Sequence, residues 1–365
     1  MRAFLRSRSV WLTLVALLLI VIVLALMSPA PTLPRGSGEP MKSIVYHEYG
    51  TADVLRFEQT EKPLPNDNQV LIKVRAASVN PLDWHYMRGT PYLMRVAGTG
   101  LRKPNDPRLG ADVAGVVEAV GKNVTDFKPG DEVFGTSGGA FAEYAPASKV
   151  ALKPANITFE QAAAVPIAGL TALQGLRDSG HLRAGQRVLI NGASGGVGTF
   201  AVQIAKTYGA DVTGVCSTRN VEMVRSLGAD HVIDYTKEDF TASEQRYDLI
   251  FDTVGNRSLS EVRRVMVPKG IYVGIGGGGP DAGSVIGPMW GPVKMLLYSP
   301  FVDQQFGTFL AKVSKEDLAV LAHLMGTGKV TPVIDRAFPL SETPAAIRYL
   351  EAGHARGKVI VTVGD

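Results

Sequence analysis

A single cysteine, Cys216, stands in the 365 residues, which excludes internal disulfides and any multi-cysteine metal lobe. The six histidines (His47, His85, His181, His231, His323 and His354) are scattered, without the paired spacing of a histidine metal site. No Gly-Lys pair is followed by Ser or Thr, so the chain lacks a Walker phosphate loop. Repeats and long low-complexity tracts are absent as well. Acidic residues are missing until Glu39, and the 38 residues before it carry four arginines; the remainder holds 34 basic against 34 acidic residues. The basic excess therefore belongs to the leader and does not point to a nucleic-acid surface.

Long apolar runs are also scarce, with one exception. Val10 to Met27 is eighteen uncharged, largely apolar residues behind a basic flank, residues 1–9, bearing Arg2, Arg6 and Arg8. Eighteen residues just span hydrocarbon as a helix and exceed a usual cleaved-signal core, so the favoured expectation is an uncleaved single-pass transmembrane anchor. A cleaved signal and an organelle-targeting leader are the other readings. Ser28 to Pro40 is rich in Pro, Gly and Ser and reads as a flexible tether, with the folded part starting near Met41. The flanking arginines would keep the N-terminus in the cytoplasm and send the folded part across the membrane. Arg35 and Lys42 weaken that asymmetry, so the orientation stays open.

The most informative stretch is Arg187 to Cys216, which reads as strand, glycine turn, helix and second strand. Gly192, Gly195 and Gly198 recur every three residues, with Ala193, Ser194, Gly196 and Val197 between them, before an Ala/Val/Ile-rich helix closed by Gly209. Glycines let backbone approach a pyrophosphate, and the unpaired N–H groups at the helix start favour its charge. The second strand ends in Cys216-Ser217-Thr218-Arg219-Asn220, without the acidic residue that would accept hydrogen bonds from a ribose 2′-hydroxyl. Two hydroxyls and Arg219 suit a 2′-phosphate, and the expected cofactor is NADPH. The plainer reading of Ser217 and Thr218 is that they cap the following helix.

Short alternating runs separated by Gly, Pro and Asp fill residues 41 to about 154, the pattern of an antiparallel, barrel-like β domain. Strands and helices then alternate from about Ala164 to Gly276, which predicts a doubly wound parallel sheet. The order of motifs resembles the medium-chain dehydrogenase/reductase superfamily: Gly110 to Gly121 (GADVAGVVEAVG), Lys128 to Val133 (KPGDEV), Gly139 to Tyr144 (GAFAEY), Leu170 to Leu173 (LTAL) and Gly357 to Val361 (GKVIV). The resemblance spans Met41 to Val363. It implies an α/β protein with a GroES-like β-rich catalytic domain over residues 41–164, a Rossmann domain over 165–312, and a return to the catalytic domain over 313–365. It also implies a homodimer.

Zinc alcohol dehydrogenases of that superfamily carry a ligand cysteine and a His-Glu pair where this chain has Asn80 and Ala111-Asp112. Neither Asn80 nor Ala111 supplies a thiolate or imidazole, so no metal is expected. The pattern Val79-Asn80-Pro81-Leu82-Asp83 is similar to that of the zinc-independent quinone oxidoreductase branch, including its reticulon-interacting and enoyl-reductase-like members.

Hydride transfer without a metal suits a quinone or conjugated enone, whose π system spreads the incoming charge so that one or two hydrogen-bond donors suffice. The candidate catalytic residues are Asn80, Asp83, His85 and Tyr92, near Tyr86. Asn80 could hold a carbonyl or only start an Asn-Pro turn. Tyr92 could donate to an enolate or shield the cleft, His85 could supply a proton or be an ordinary histidine, and Asp83 orients its neighbours. The resemblance places Thr171 at the nicotinamide, Tyr235 on the adenosine phosphate and Lys358 beside the cofactor. Val254, Gly274 and Gly276 stand at strand ends, where ligands of such sheets bind. Ser284 to Val302 is apolar and would form a cleft wall, a dimer edge or a lipid contact.

The leading expectation is thus an NADPH-dependent quinone or enone reductase. Two alternatives stay open: a zinc-free alcohol dehydrogenase or carbonyl reductase, and a non-catalytic NADPH-binding scaffold or sensor. Short-chain dehydrogenase chemistry is disfavoured, because none of the eleven tyrosines has a lysine four residues later.

Overall fold

A computed structural model describes residues 33–276 and 290–364. The expected span Val10 to Met27 lies outside them, as does Ser284 to 289 of the apolar segment. Among the described residues no helix is long and apolar enough to cross a membrane.

Seven strands form before the nucleotide motif: β1 (Gly36–Val45), β2 (Arg56–Pro63), β3 (Val70–Val79), β4 (Asp112–Val120), β5 (Glu132–Thr136), β6 (Tyr144–Ala147) and β7 (Lys149–Leu152). β1 and β2 make a separate antiparallel pair. The expected tether is ordered from Gly36, which pairs opposite Pro63, with a register irregularity between Gly36 and Pro40. The exposed edge of β2 supplies backbone partners that outweigh the weak strand propensity of Gly-Ser-Gly.

Six parallel strands follow: β8 (Arg187–Asn191), β9 (Asp211–Cys216), β10 (His231–Asp234), β11 (Tyr247–Asp252), β12 (Met266–Gly274) and β13 (Gln305–Thr308). Their order, β10-β9-β8-β11-β12-β13, reverses between β8 and β11, the crevice where such sheets bind dinucleotides. The buried central strands read as unbroken apolar runs, Val188-Leu189-Ile190 and Leu249-Ile250-Phe251.

The chain then returns. β14 (Ile334–Pro339) and β15 (Lys358–Thr362) complete a seven-stranded sheet ordered β14-β15-β3-β4-β5-β7, with β6 also paired to β3. β15 lies antiparallel to β3 with Val359 opposite Val79, and β4 flanks β3 with Asp112 opposite Ser78. One apolar core runs through both domains, joining Ala76, Ala114 and Phe134 of the first sheet to Val188 and Phe251 of the second. Burying that seam holds the domains as one packed body and fixes the cleft between them.

Candidate active site

The glycine turn is built as the spacing predicts. Gly192 has φ +85°, a left-handed conformation, and a Cβ there would lie 2.3 Å from Thr253 Oγ1. A Cβ on Gly198 would fall 2.1 Å from the Gly192 carbonyl, so the helix can start this close to the turn only with glycine. The helix Gly196–Thr207 begins at Gly195 with no side-chain cap, which leaves its first N–H groups facing the turn. Ala193 is fully buried beneath it, and Val197 is half-buried.

The last strand meets this turn. Gly357 bridges Gly195, and the Gly357 N–H donates to the Ser194 carbonyl at 2.9 Å. Asn220 Nδ2 donates to the Ser194 hydroxyl at 3.0 Å and to the Ser217 hydroxyl at 3.2 Å. At the end of β9, the exposed Thr218 is held by its hydroxyl, which donates to Asp234 at 2.6 Å, and that bond heads the contacts holding the Asp234 carboxyl below the usual carboxylate range. Arg219 is exposed and donates one N–H to the His354 carbonyl at 2.7 Å, leaving most of its guanidinium free to face a phosphate. Tyr235 follows β10 directly and is exposed beside it.

At the carboxyl ends of β11 and β12, buried Asp252 accepts from Asn191 Nδ2 and from the N–H groups of Val254 and Gly255, each at 2.9 Å. Gly274 ends β12 with its missing Cβ position 2.6 Å from Met295 Cε, and Gly276 has φ +67°. Thr171 sits inside the helix Pro166–Gln174, where its hydroxyl donates to the Ile167 carbonyl one turn back at 2.7 Å.

Where zinc enzymes hold their metal, this chain has a fully buried polar knot. Asp112, at the start of β4, accepts from Ser78 Oγ at 2.7 Å, Asn80 Nδ2 at 2.9 Å and the Ile167 N–H at 2.9 Å, with Lys358 Nζ at 3.5 Å. Lys358 Nζ also donates to Asn80 Oδ1 at 2.5 Å. Burial lowers the Lys358 ammonium's pKa, and the Asp112 carboxylate beside it works against that shift. Asn80 is thereby committed at both ends of its amide, which suits a positioning residue better than a direct donor to substrate. Asp112 and Ser78 are the members that sequence reasoning missed; the cross-strand register of β3 and β4 is the signal that brings them together.

Asn80 opens the helix Pro81–Arg88, and its N–H donates to Asp83 Oδ2 at 2.7 Å. Burial pushes the Asp83 carboxyl up to about 7, against the pull of that hydrogen bond. His85 Nδ1 lies 2.8 Å from the Thr90 carbonyl, an acceptor only, so this nitrogen carries the proton. Burial lowers the ring's pKa and favours neutral imidazole. Tyr92 is 45% exposed and lies under the Arg95 guanidinium, 4.7 Å from the ring centre; it is not among the cavity-lining residues.

That cavity measures about 480 Å³ and opens beside Asp83, Tyr86, Gly110 and Ala111, with Tyr46 on its wall. The size suits a small ligand. Donor chemistry speaks against zinc: Ala111 offers no ligand atom, Asn80 is engaged at both ends of its amide, and Asp112 already accepts from Ser78, Asn80, Ile167 and Lys358. These residues do not fit a zinc ion. Among the described residues no group of three His, Cys, Asp or Glu could hold a metal.

Comparison with known proteins agrees with this architecture. Residues 66–156 match the alcohol dehydrogenase GroES-like domain, and residues 227–361 match the family described as zinc-binding dehydrogenase. The mitochondrial NAD(P)H oxidoreductase RTN4IP1 of Mus musculus is 37% identical over 88% of this chain and 89% of its own length. The chain belongs to the medium-chain dehydrogenase/reductase superfamily, in its zinc-independent quinone oxidoreductase-like branch. A second member, the chloroplastic NADPH-dependent alkenal/one oxidoreductase of Arabidopsis thaliana, is 37% identical over 88% of the chain and 79% of its own length. Among solved structures of the superfamily, the Coxiella burnetii quinone oxidoreductase superposes with a TM-score of 0.78 at 31% identity, covering 89% of this chain and all (100%) of that one.

One expectation is overturned. The single-pass membrane placement is withdrawn, because these relatives are mitochondrial or chloroplastic by name. Eighteen apolar residues behind arginines fit an anchor and a leader alike, and length alone misassigned them.

Proposed function

We propose that this protein is an NADPH-dependent oxidoreductase that reduces quinones or α,β-unsaturated carbonyls without a metal. One observation carries the reading: between the uncapped glycine turn and the 480 Å³ cavity lies a buried knot in which Lys358, Asn80 and Asp112 stand in place of metal ligands. The relatives named for NAD(P)H, alkenal/one and quinone reduction support it.

Bound NADPH would supply the hydride. In this reading Gly192 to Gly198 hold the pyrophosphate, while Ser217, Arg219 and Tyr235 face the 2′-phosphate and Thr218 is fixed to Asp234 as their support. Val254, Gly274 and Gly276 shape the nicotinamide side, with Thr171 behind it. Lys358 and Asn80 set the distance between turn and cavity. Asp83, with its carboxyl pushed up to about 7 by burial, and the Asp106–Arg108 ion pair keep net charge low at the cavity wall, which favours an uncharged substrate. An organelle leader is the reading of the N-terminus in keeping with the relatives' names.

A homodimer belongs to the same proposal, with exposed Leu296, Leu297, Phe301 and Leu310 gathered around the sheet edge at β13. Product analysis tests the chemistry. Incubation with NADPH and an alkenone should yield the saturated ketone; formation of the unsaturated alcohol instead would favour carbonyl reduction, and tight NADPH binding with no product would favour a sensor.

A further inference from the structure

The polar groups of the cavity wall are nearly all spoken for. The Arg108 guanidinium donates to both oxygens of Asp106, at 2.9 and 2.6 Å, and the Ser137 hydroxyl donates to the Pro146 carbonyl at 3.0 Å. Asn105 Nδ2 donates to the Gly98 carbonyl at 3.0 Å, and Thr99 Oγ1 accepts from the Tyr49 hydroxyl at 3.2 Å. Tyr46 differs. It leaves β1 with only 2% of its surface exposed and lines the cavity, while its hydroxyl has no hydrogen-bond partner among the described residues. The hydroxyl is not sealed from solvent, so in a cavity that Tyr46 lines an entering ligand oxygen can take water's place as its partner.

Resting on the reductase reading above, we propose that Tyr46 is a catalytic residue: its hydroxyl donates the hydrogen bond that holds the substrate carbonyl oxygen. During reduction of an enone, the hydride from NADPH bonds to the β-carbon and the C=C pair shifts toward the carbonyl. Negative charge collects on the oxygen, and the enolate then takes a proton from water at the α-carbon. Tyr46 keeps its own proton throughout and lowers the barrier by meeting the oxygen as it becomes charged. Burial, followed by nearby Tyr49 and Asp106, raises the Tyr46 phenol pKa above its ordinary value, which preserves the O–H for donation. Tyr86 also lines the cavity but is far more exposed, at 39%.

The test compares the full-length protein with Tyr46→Phe, using 3-nonen-2-one and 1,4-naphthoquinone as probes. Losing a donor to a developing oxyanion costs about 10²–10³ in kcat. Tyr46→Phe should lose roughly that on the enone, and less on the quinone, whose second carbonyl shares the charge. Its NADPH dissociation constant and thermal midpoint should match wild type. Wild-type turnover retained in Tyr46→Phe would overturn the assignment alone. Wild-type protein that reduces neither probe would overturn the reductase reading and this assignment with it.

Discussion

Lys358 Nζ sits 2.5 Å from Asn80 Oδ1, a contact between residues 278 positions apart that ties the last strand to the helix beside the cavity. The same strand touches the glycine turn through Gly357 and Ser194. One residue pair therefore links the nucleotide turn to the proposed reaction cavity, and the predictions below probe that link and its surroundings.

Replacing Lys358 with Met removes the cation from a knot in which Asp112 is fully buried. Breaking a buried pair on one side costs about 3–5 kcal/mol, and the three donors left on Asp112 place the expected loss at the low end. Urea unfolding of Lys358→Met should show that loss together with weaker NADPH binding; an unchanged midpoint would show the knot to be unimportant.

Gly198→Ala puts a methyl group where the Gly192 carbonyl stands 2.1 Å away. The turn must open, and NADPH affinity measured by calorimetry should fall at least tenfold, about 1.4 kcal/mol. Near-wild-type affinity would mean the turn is not the pyrophosphate site.

Arg219→Glu should discriminate between cofactors. A hydrogen bond to a charged group is worth about 1.5–3 kcal/mol, so NADPH should weaken by at least tenfold while NADH changes much less. Equal effects on both would remove Arg219 from the 2′-phosphate site.

Asp83 gives a signed pH dependence. Its folded pKa, about 7, lies above the ordinary 3.8, so the folded state holds this proton more tightly than the unfolded chain. The stability it contributes is fully present below pH 3.8 and is lost as pH rises through about 7. Asp83→Asn should flatten the stability profile across that window relative to wild type, as read from denaturant midpoints. Parallel profiles would contradict a buried, proton-holding carboxyl.

The nucleotide half of this account was legible because its signals are local. Gly192 to Gly198, the apolar strands and the residues after Cys216 lie within one βαβ unit, where spacing alone encodes geometry. The knot was only half legible: Asn80 and Asp83 stand in one motif, but their partners Asp112 and Lys358 arrive through the pairing of β4 and β15 with β3. Tyr46 was invisible for another reason. In an alternating strand, an inward tyrosine reads as core, and only the cavity distinguishes it. Thr171 carries a contact that no local motif announces, a hydroxyl that bonds back to the Ile167 carbonyl of its own helix.

The most direct measurement is loss of the nicotinamide absorbance band when the full-length protein, NADPH and a substrate panel of quinones, alkenones and saturated ketones are mixed. The account predicts turnover on quinones or alkenones, insensitivity to chelators, and little reaction with saturated ketones. Turnover confined to saturated ketones, or none across the panel despite tight NADPH binding, would contradict it.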